Sequence, residues 1–224
     1  MRFFCGACIY GRTFEITDMS ACQSFARAFY GFNDTNFSIT VTSPSYVEIL
    51  DARSAFERSD IEKATFNKVG FYGNIDQMCM NAKYLTEFNA TLSPTSAQNA
   101  FKGCTSLTNL SIALCNITSQ KGMDLGLETC TAQWKDLSIS QSYIGDPDSS
   151  VEMTLKLPPS FAQHNSYYDL IALIDTLGDM YAKPAYMKRT IAITTQNDLP
   201  SDYITELRNK LKSLGYKFEQ YRGE

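Results

Sequence analysis

The chain is poor in the residues on which most enzyme chemistry depends. Its 224 residues hold one histidine, His164. That removes most triad, acid–base and zinc schemes at once. His164 stands between Gln163 and Asn165 at the entry to an expected helix, with no Ser or Cys nucleophile beside it, and reads as structural. Walker A, G-x-G-x-x-G, H-E-x-x-H and G-x-S-x-G sequences are all missing. Asp and Glu are plentiful, but nothing singles out a pair, so a carboxylate-dependent hydrolase is only a remote alternative. Excess charge of one sign is lacking too. Twenty Lys and Arg against 24 Asp and Glu give a net charge of −4, with no footprint for nucleic acid. Arg208, Lys210, Lys212 and Lys217 form a mild basic cluster that reads as a solvated helix face. No run approaches the ~20 apolar residues of a membrane helix. The start of the chain has no proper apolar h-region, so no signal peptide is expected. The expectation is a protein without enzymatic activity, cofactor, metal, nucleic-acid partner or membrane insertion.

Cysteine is present but not in a framework. The seven thiols are an odd number, and Cys79, Cys104, Cys115 and Cys130 fall at regular core or turn positions. They are expected to be reduced and buried. Cys5 and Cys8 make one C-x-x-C; a zinc site would need a second pair, and a thioredoxin-like site a strand before it and a helix after it. Five Asn-x-Ser/Thr triplets, at Asn33, Asn36, Asn89, Asn109 and Asn116, lie mostly where Asn, Ser and Thr recur in the pattern described next, and read as part of that pattern.

What is abundant is repetition. In residues 100–117, Leu107, Leu110, Ile112, Cys115 and Ile117 fit L-x-x-L-x-L-x-x-(N/C)-x-L, the leucine-rich repeat template. Leu110 and Ile112 alternate with Asn109, Ser111 and Ala113, as a strand with one buried side requires. Such a unit cannot bury its apolar side alone, so it must recur. Copies follow Leu85 and Trp134, with weaker ones at Ile61, Phe37 and Phe14. Anchors at 14, 37, 64, 88, 110 and 137 give steps of 23, 27, 24, 22 and 27, inside the 20–29 residue range of these repeats. A second phrase precedes each strand: Phe3-Phe-Cys-Gly-Ala7, Ala28-Phe-Tyr-Gly-Phe32, Ala55-Phe-Glu-Arg-Ser59, Met78-Cys-Met-Asn-Ala82, Ala100-Phe-Lys-Gly-Cys104 and a shortened Leu127-Glu-Thr-Cys130. Each reads as one helical or 3₁₀ turn on a convex side. Trp134 replaces a leading Leu and is expected in the core.

The phrase AFKGCTSLTNLSI resembles the BspA-like leucine-rich repeat family, whose units run A-F-x-x-C-x-x-L-x-x-I-x-I. The resemblance covers roughly residues 2–158 and is sharpest at 100–117; elsewhere Ala or Phe replaces Cys and the steps vary. It implies a non-enzymatic interaction or structural role, as in bacterial surface adhesins or in structural and receptor-contacting proteins of phages. A virion or tail-associated subunit is the favoured expectation, in a virion or the bacterial cytoplasm. The alternative is a bacterial interaction module, intracellular or at the cell surface.

The expected fold is α/β. Residues 1–158 form a leucine-rich-repeat solenoid with a parallel β-sheet and a short irregular or 3₁₀ convex side. Residues 159–224 form a C-terminal α/β cap that continues the sheet, completing a β-α-β-α-β extension. Its signals are an alternating strand to Leu157, a helix capped by Ser166 with Leu170, Ile171, Leu173, Ile174 and Leu177 on its apolar face and closed by Lys183-Pro184, a strand at 189–195, a helix with Ile204, Leu207, Leu211 and Leu214 as its apolar stripe, and a strand over 216–221. Gly145–Ser150 is a turn in which two acids flank a proline. The first repeat begins without a polar cap, which marks Phe3 and Phe4 as an expected assembly edge. The outward strand positions should line up as a polar, small-residue, concave partner-binding face: Lys63, Thr65 and Asn67; Glu87, Asn89 and Thr91; Asn109 and Ser111; Asp136 and Ser138. The expected partner is a protein, including further copies of the chain.

Overall fold

The computed structural model describes residues 13–33, 37–115, 125–132, 134–143, 153–158, 189–195, 200–213 and 217–222. Six strands stack in chain order as one parallel sheet: β1 (Thr13–Ile16), β2 (Phe37–Asp51), β3 (Ile61–Asn74), β4 (Glu87–Leu92), β5 (Asn109–Cys115) and β6 (Asp136–Tyr143). The chain is therefore a repeat solenoid, each coil laid against the next. Residues Phe14, Ile39, Ala64, Phe88, Leu110 and Leu137 are successive register partners. One expected anchor is corrected. Phe37 pairs with Ile61, and Ile39 takes the place assigned to it. Both residues face inward, so a slip of two leaves the alternation intact; strand periodicity cannot detect such an error.

β2 and β3 are longer than the repeat pattern suggests because each covers two sides of a coil. In β2, Thr42 pairs with Asn67 and the next recorded pair is Val47 with Val69, so residues 43–46 bulge opposite Lys68. Pro44 is tolerated there because a bulged residue needs no ladder N–H. Lys68 Nζ ties the bulge down by donating to the Pro44 carbonyl at 3.2 Å. Beyond the corner, β2 and β3 continue the second side as far as Asp51 and Asn74.

The third side differs from the expected helical turn. In residues 25–31, every second backbone N–H donates to the next coil: Phe25, Arg27, Phe29 and Gly31 to the carbonyls of Asp51, Arg53, Ala55 and Glu57. Ala52, Ser54, Phe56 and Arg58 repeat this toward Asn74, Asp76, Met78 and Met80, and Ile75, Gln77, Cys79 and Asn81 toward Ser96, Gln98, Ala100 and Lys102. The N–H groups of Ala28, Tyr30 and Phe32 close short turns onto Phe25, Arg27 and Phe29 within the coil. A helix would keep all these bonds inside one coil. Here residues at positive φ, four apart, turn alternate peptide planes along the stack: Arg27 and Gly31, Ser54 and Arg58, Gln77 and Asn81, Asn99 and Gly103. The pattern gives way only at the shortened phrase. There Leu127–Thr129 is a true 3₁₀ turn. The Gly103 N–H now donates to the Thr129 hydroxyl at 2.6 Å, and that hydroxyl donates to the Gly126 carbonyl at 2.7 Å.

Phenylalanine fills the interior. Phe29 and Phe56 stack at 5.4 Å with 7° between planes. The chain of ring contacts runs on from Phe56 to Phe88 at 6.2 Å and from Phe88 to Phe101 at 5.8 Å. Phe14, at the β1 end, meets Phe37 edge-on at 5.0 Å. A column of rings thus links successive coils; each such pair is worth about 0.5–1.5 kcal/mol beyond simple burial. Trp134 is buried, as expected.

The C-terminal strands β7 (Met153–Leu157), β8 (Arg189–Thr195) and β9 (Lys217–Arg222) are parallel, and helix α1 (Ser201–Ser213) joins the last two. The expected continuation of the repeat sheet is not seen among the described residues: these strands form a separate sheet in the order β7-β8-β9. β7 packs beside the 3₁₀ turn of residues 127–129. Leu157, Leu207 and Leu211 are buried and belong to the same apolar cluster as the solenoid core. The helix expected at 166–177, the turn at 145–150, His164, the Cys5/Cys8 pair and the Phe3/Phe4 edge lie outside the described residues.

Candidate functional site

The strand face carries rows of residues set by register. Ser38, Lys63, Glu87, Asn109 and Asp136 form one row across five strands. Thr40, Thr65 and Asn89 form the next, and Ser111 pairs with Ser138 two positions beyond the first row. Lys63, Asn89 and Ser111 are exposed. Lys63 Nζ lies 3.8 Å from a Glu87 carboxylate oxygen, and the Asn89 amide donates to the same carboxylate. An exposed pair of this kind adds little stability, but it holds three side chains of the face in one arrangement.

The third expected row does not form. Asn67 sits beside Thr42, donating to its hydroxyl at 3.3 Å. Thr91 pairs with Gly70, because the β3–β4 register jumps between Thr65 and Gly70. The cause is the corner: β3 spends residues 66–69 turning it, whereas β4 spends only Ala90. Thr91 therefore belongs to the second side of the coil.

That second side presents aromatics. Tyr46 is 50% exposed and Leu50 54% exposed. The Tyr46 and Tyr72 hydroxyls are hydrogen-bonded at 2.7 Å, over Gly70. A Cβ on Gly70 would lie 2.3 Å from the Tyr46 hydroxyl, so glycine is what lets that ring sit down. Neither the pair nor its glycine seat stands out in the sequence, since both depend on the four-residue bulge.

The third side holds two open depressions. One, of about 630 Å³, is lined by Arg27, Arg53, Ser54, Asp76, Gln77, Gln98 and neighbours. The Asp51 carboxylate receives two bonds from the Arg53 guanidinium, at 2.9 and 2.8 Å, and one from the Arg53 N–H. The Arg53 guanidinium holds its carboxyl below the usual range. Asp76 Oδ1 accepts from the Ser96 hydroxyl at 2.6 Å and from the Gln98 N–H at 2.7 Å. The other depression, about 520 Å³, is lined by Arg58, Asp60, Asn81, Lys83 and Tyr84. Burial there pushes the Asp60 carboxyl up, partly offset by Lys83.

Three of the four cysteines expected in the core, Cys79, Cys104 and Cys130, are buried there. Cys22, Cys79, Cys104 and Cys130 are free thiols, and the last three are buried. Cys104 Sγ donates to the Cys79 carbonyl at 3.0 Å, and Cys130 Sγ to the Phe101 carbonyl at 3.5 Å. Burial raises all three thiols, that of Cys130 to about 12. Thiols held protonated in this way are poor nucleophiles and poor metal ligands. Among the described residues no three His, Cys, Asp or Glu side chains gather as a metal site, and no helix is long and apolar enough to cross a membrane.

No family model matches the chain, and no curated protein or solved structure matches it significantly.

Proposed function

We propose that the protein is a non-enzymatic interaction or structural component, a leucine-rich-repeat solenoid of the BspA-like type, and that its strand face receives a protein partner. The observation that carries this reading is the register-locked row of Lys63, Glu87, Asn109 and Asp136 with Thr65 and Asn89 beside it. Small and amide side chains there let a partner's backbone approach closely, and the ring-filled core keeps the scaffold from giving way. The repeated phenylalanine of the third side, with Cys104 and Cys130 bonded to neighbouring coils, supports the family assignment. Within this class we favour a phage virion or tail-associated subunit. The bacterial adhesin or intracellular module is the alternative, and a carboxylate hydrolase the remote one.

The test is association. Light scattering of the purified protein, with co-purification from its native source, should give a defined oligomer or a larger assembly. Thr65→Arg with Asn89→Arg should abolish that association and leave the melting temperature unchanged. A monodisperse monomer that co-purifies with nothing, or an assembly indifferent to the double substitution, would overturn the reading.

A further inference from the structure

The depression on the third side has a feature its neighbour lacks. The lateral column beside it is Arg27, Ser54, Gln77 and Asn99, at φ of 56, 54, 59 and 55°. All four sit in the left-handed region, where a side chain is strained and glycine is not. The parallel column four residues on is Gly31, Arg58, Asn81 and Gly103, with glycine at two of its four positions. The fold therefore accepts glycine at such places, yet every coil presents a polar side chain to the groove. Strained backbone that keeps its side chains points to a use for them.

The lining says what that use is. Gln77 and Asn99 supply amides, which both donate and accept. Ser54 adds a hydroxyl. Among the described residues Ala26 is the only apolar one that lines it, and a polar lining suits hydroxyls better than the aromatic or aliphatic anchor of a peptide partner. Three inter-coil steps of about 4.8 Å give a track of about 14 Å, suited to a short chain rich in hydroxyls. Its two ends differ. The carboxylates near it are engaged, Asp51 by Arg53 and Asp76 by Ser96 and Gln98. The exposed Arg27 guanidinium lies 5.9 Å from the Tyr30 ring centre, and no carboxylate lies within ion-pair distance of it among the described residues. That places a guanidinium free for bidentate bonding at the first-coil end and amides at the far end.

We propose that this groove binds a short oligosaccharide bearing one carboxylate, with the carboxylate on Arg27 and the sugar hydroxyls on Gln77 and Asn99. The site lies on a different side of the coil from the strand face and is independent of it.

Isothermal titration with 3′-sialyllactose, and with lactose as the uncharged control, tests this. Sialyllactose should bind, lactose at least tenfold more weakly, and the difference should shrink as salt is raised. Arg27→Gly is the informative variant, because it removes the guanidinium while relieving the backbone. It should melt no lower than the parent and lose at least tenfold in affinity for sialyllactose, but not for lactose. Gln77→Gly with Asn99→Gly should weaken both sugars. No detectable binding of either sugar, equal binding of both, or unchanged affinity in Arg27→Gly would overturn the proposal.

Discussion

Two glycines of β3 stand three residues apart and should respond unequally to one added methyl group. A Cβ on Gly73 would lie 1.7 Å from the Leu50 carbonyl oxygen and 2.4 Å from its carbonyl carbon. Both are backbone atoms of the neighbouring coil, so β2 and β3 must part by more than an ångström. The bonds at stake are the Ala52 N–H to the Asn74 carbonyl at 2.8 Å and the Thr95 N–H to the Gly73 carbonyl at 2.9 Å. Each polar group left without a partner costs about 1–3 kcal/mol. Gly73 is only half-buried, so water meets part of the loss, and about 3 kcal/mol is the expected total. For a chain of this size that is a fall in melting temperature of about 6–12 °C. At Gly70 the added Cβ meets the Tyr46 hydroxyl at 2.3 Å and Tyr72 Cε2 at 2.5 Å. Those are the movable parts of two side chains. Tyr46 can swing out, losing one hydrogen bond worth about 0.5–1.5 kcal/mol, while the stiffer unfolded chain returns about 0.4–1. Gly70→Ala should therefore stay within about 1 kcal/mol of the parent by the same arithmetic. Urea denaturation followed by circular dichroism measures both. Equal losses, or a Gly73→Ala protein as stable as the parent, would refute the tight coil-to-coil approach at this corner.

Other consequences are as direct. Phe56→Ala removes a fully buried ring that touches Phe25, Phe29, Phe66 and Phe88, and denaturant titration should show a loss of about 4–5 kcal/mol. Arg58→Gly relieves a φ of 56° and breaks an ion pair with Glu57 at 3.6 Å whose arginine is 63% exposed. The Glu57 side chain is buried, so leaving its carboxylate without that cation costs about 1–3 kcal/mol, which offsets the relief of about 1–2 kcal/mol at the backbone. The variant should stay within about 2 kcal/mol of the parent by the same arithmetic, read by the same titration. The buried thiols predict a pH effect. Their folded pKa values lie above the unfolded value, so the stability they contribute is complete below about pH 8.5 and falls as pH rises toward the folded values. Between pH 8 and 11 the parent should lose more stability than Cys104→Ala, and Cys79, Cys104 and Cys130 should resist alkylation until the chain is unfolded.

The strand half of each repeat was open to reading because alternation and spacing together mark inward positions; Phe88, Leu110 and Leu137 pair as their spacing requires. Register finer than two residues was not. Phe37 and Ile39 are both apolar and both inward, and only the neighbouring coil chooses between them. The third side departs from a helical turn for a different reason. Phrases such as Ala55-Phe-Glu-Arg-Ser59 carry ordinary helix-compatible residues, while the left-handed conformations at Arg27, Ser54, Arg58 and Gln77 are imposed by the hydrogen bonds to adjacent coils. Local composition does not encode that demand. The same holds for the candidate surfaces. The row through Lys63, Glu87 and Asn109 follows from spacing alone, but Thr91 moved to another side because residues 66–69 turn a corner. The groove beside Arg27 was invisible, since it exists only where four coils bring distant residues into one column. In the C-terminal region the described strands and α1 follow their periodicity closely, and their pairing as a separate sheet departs from expectation.

Cross-strand backbone NOEs test the stacking itself. On a uniformly labelled, deuterated sample, contacts should link residue 39 to 64, 64 to 88 and 88 to 110, in parallel register, together with contacts joining Phe56 to Met78 and Cys79 to Ala100 on the third side. Contacts of residue 37 with 64 in place of 39, antiparallel patterns, or third-side amides bonded only within their own coil would contradict the account.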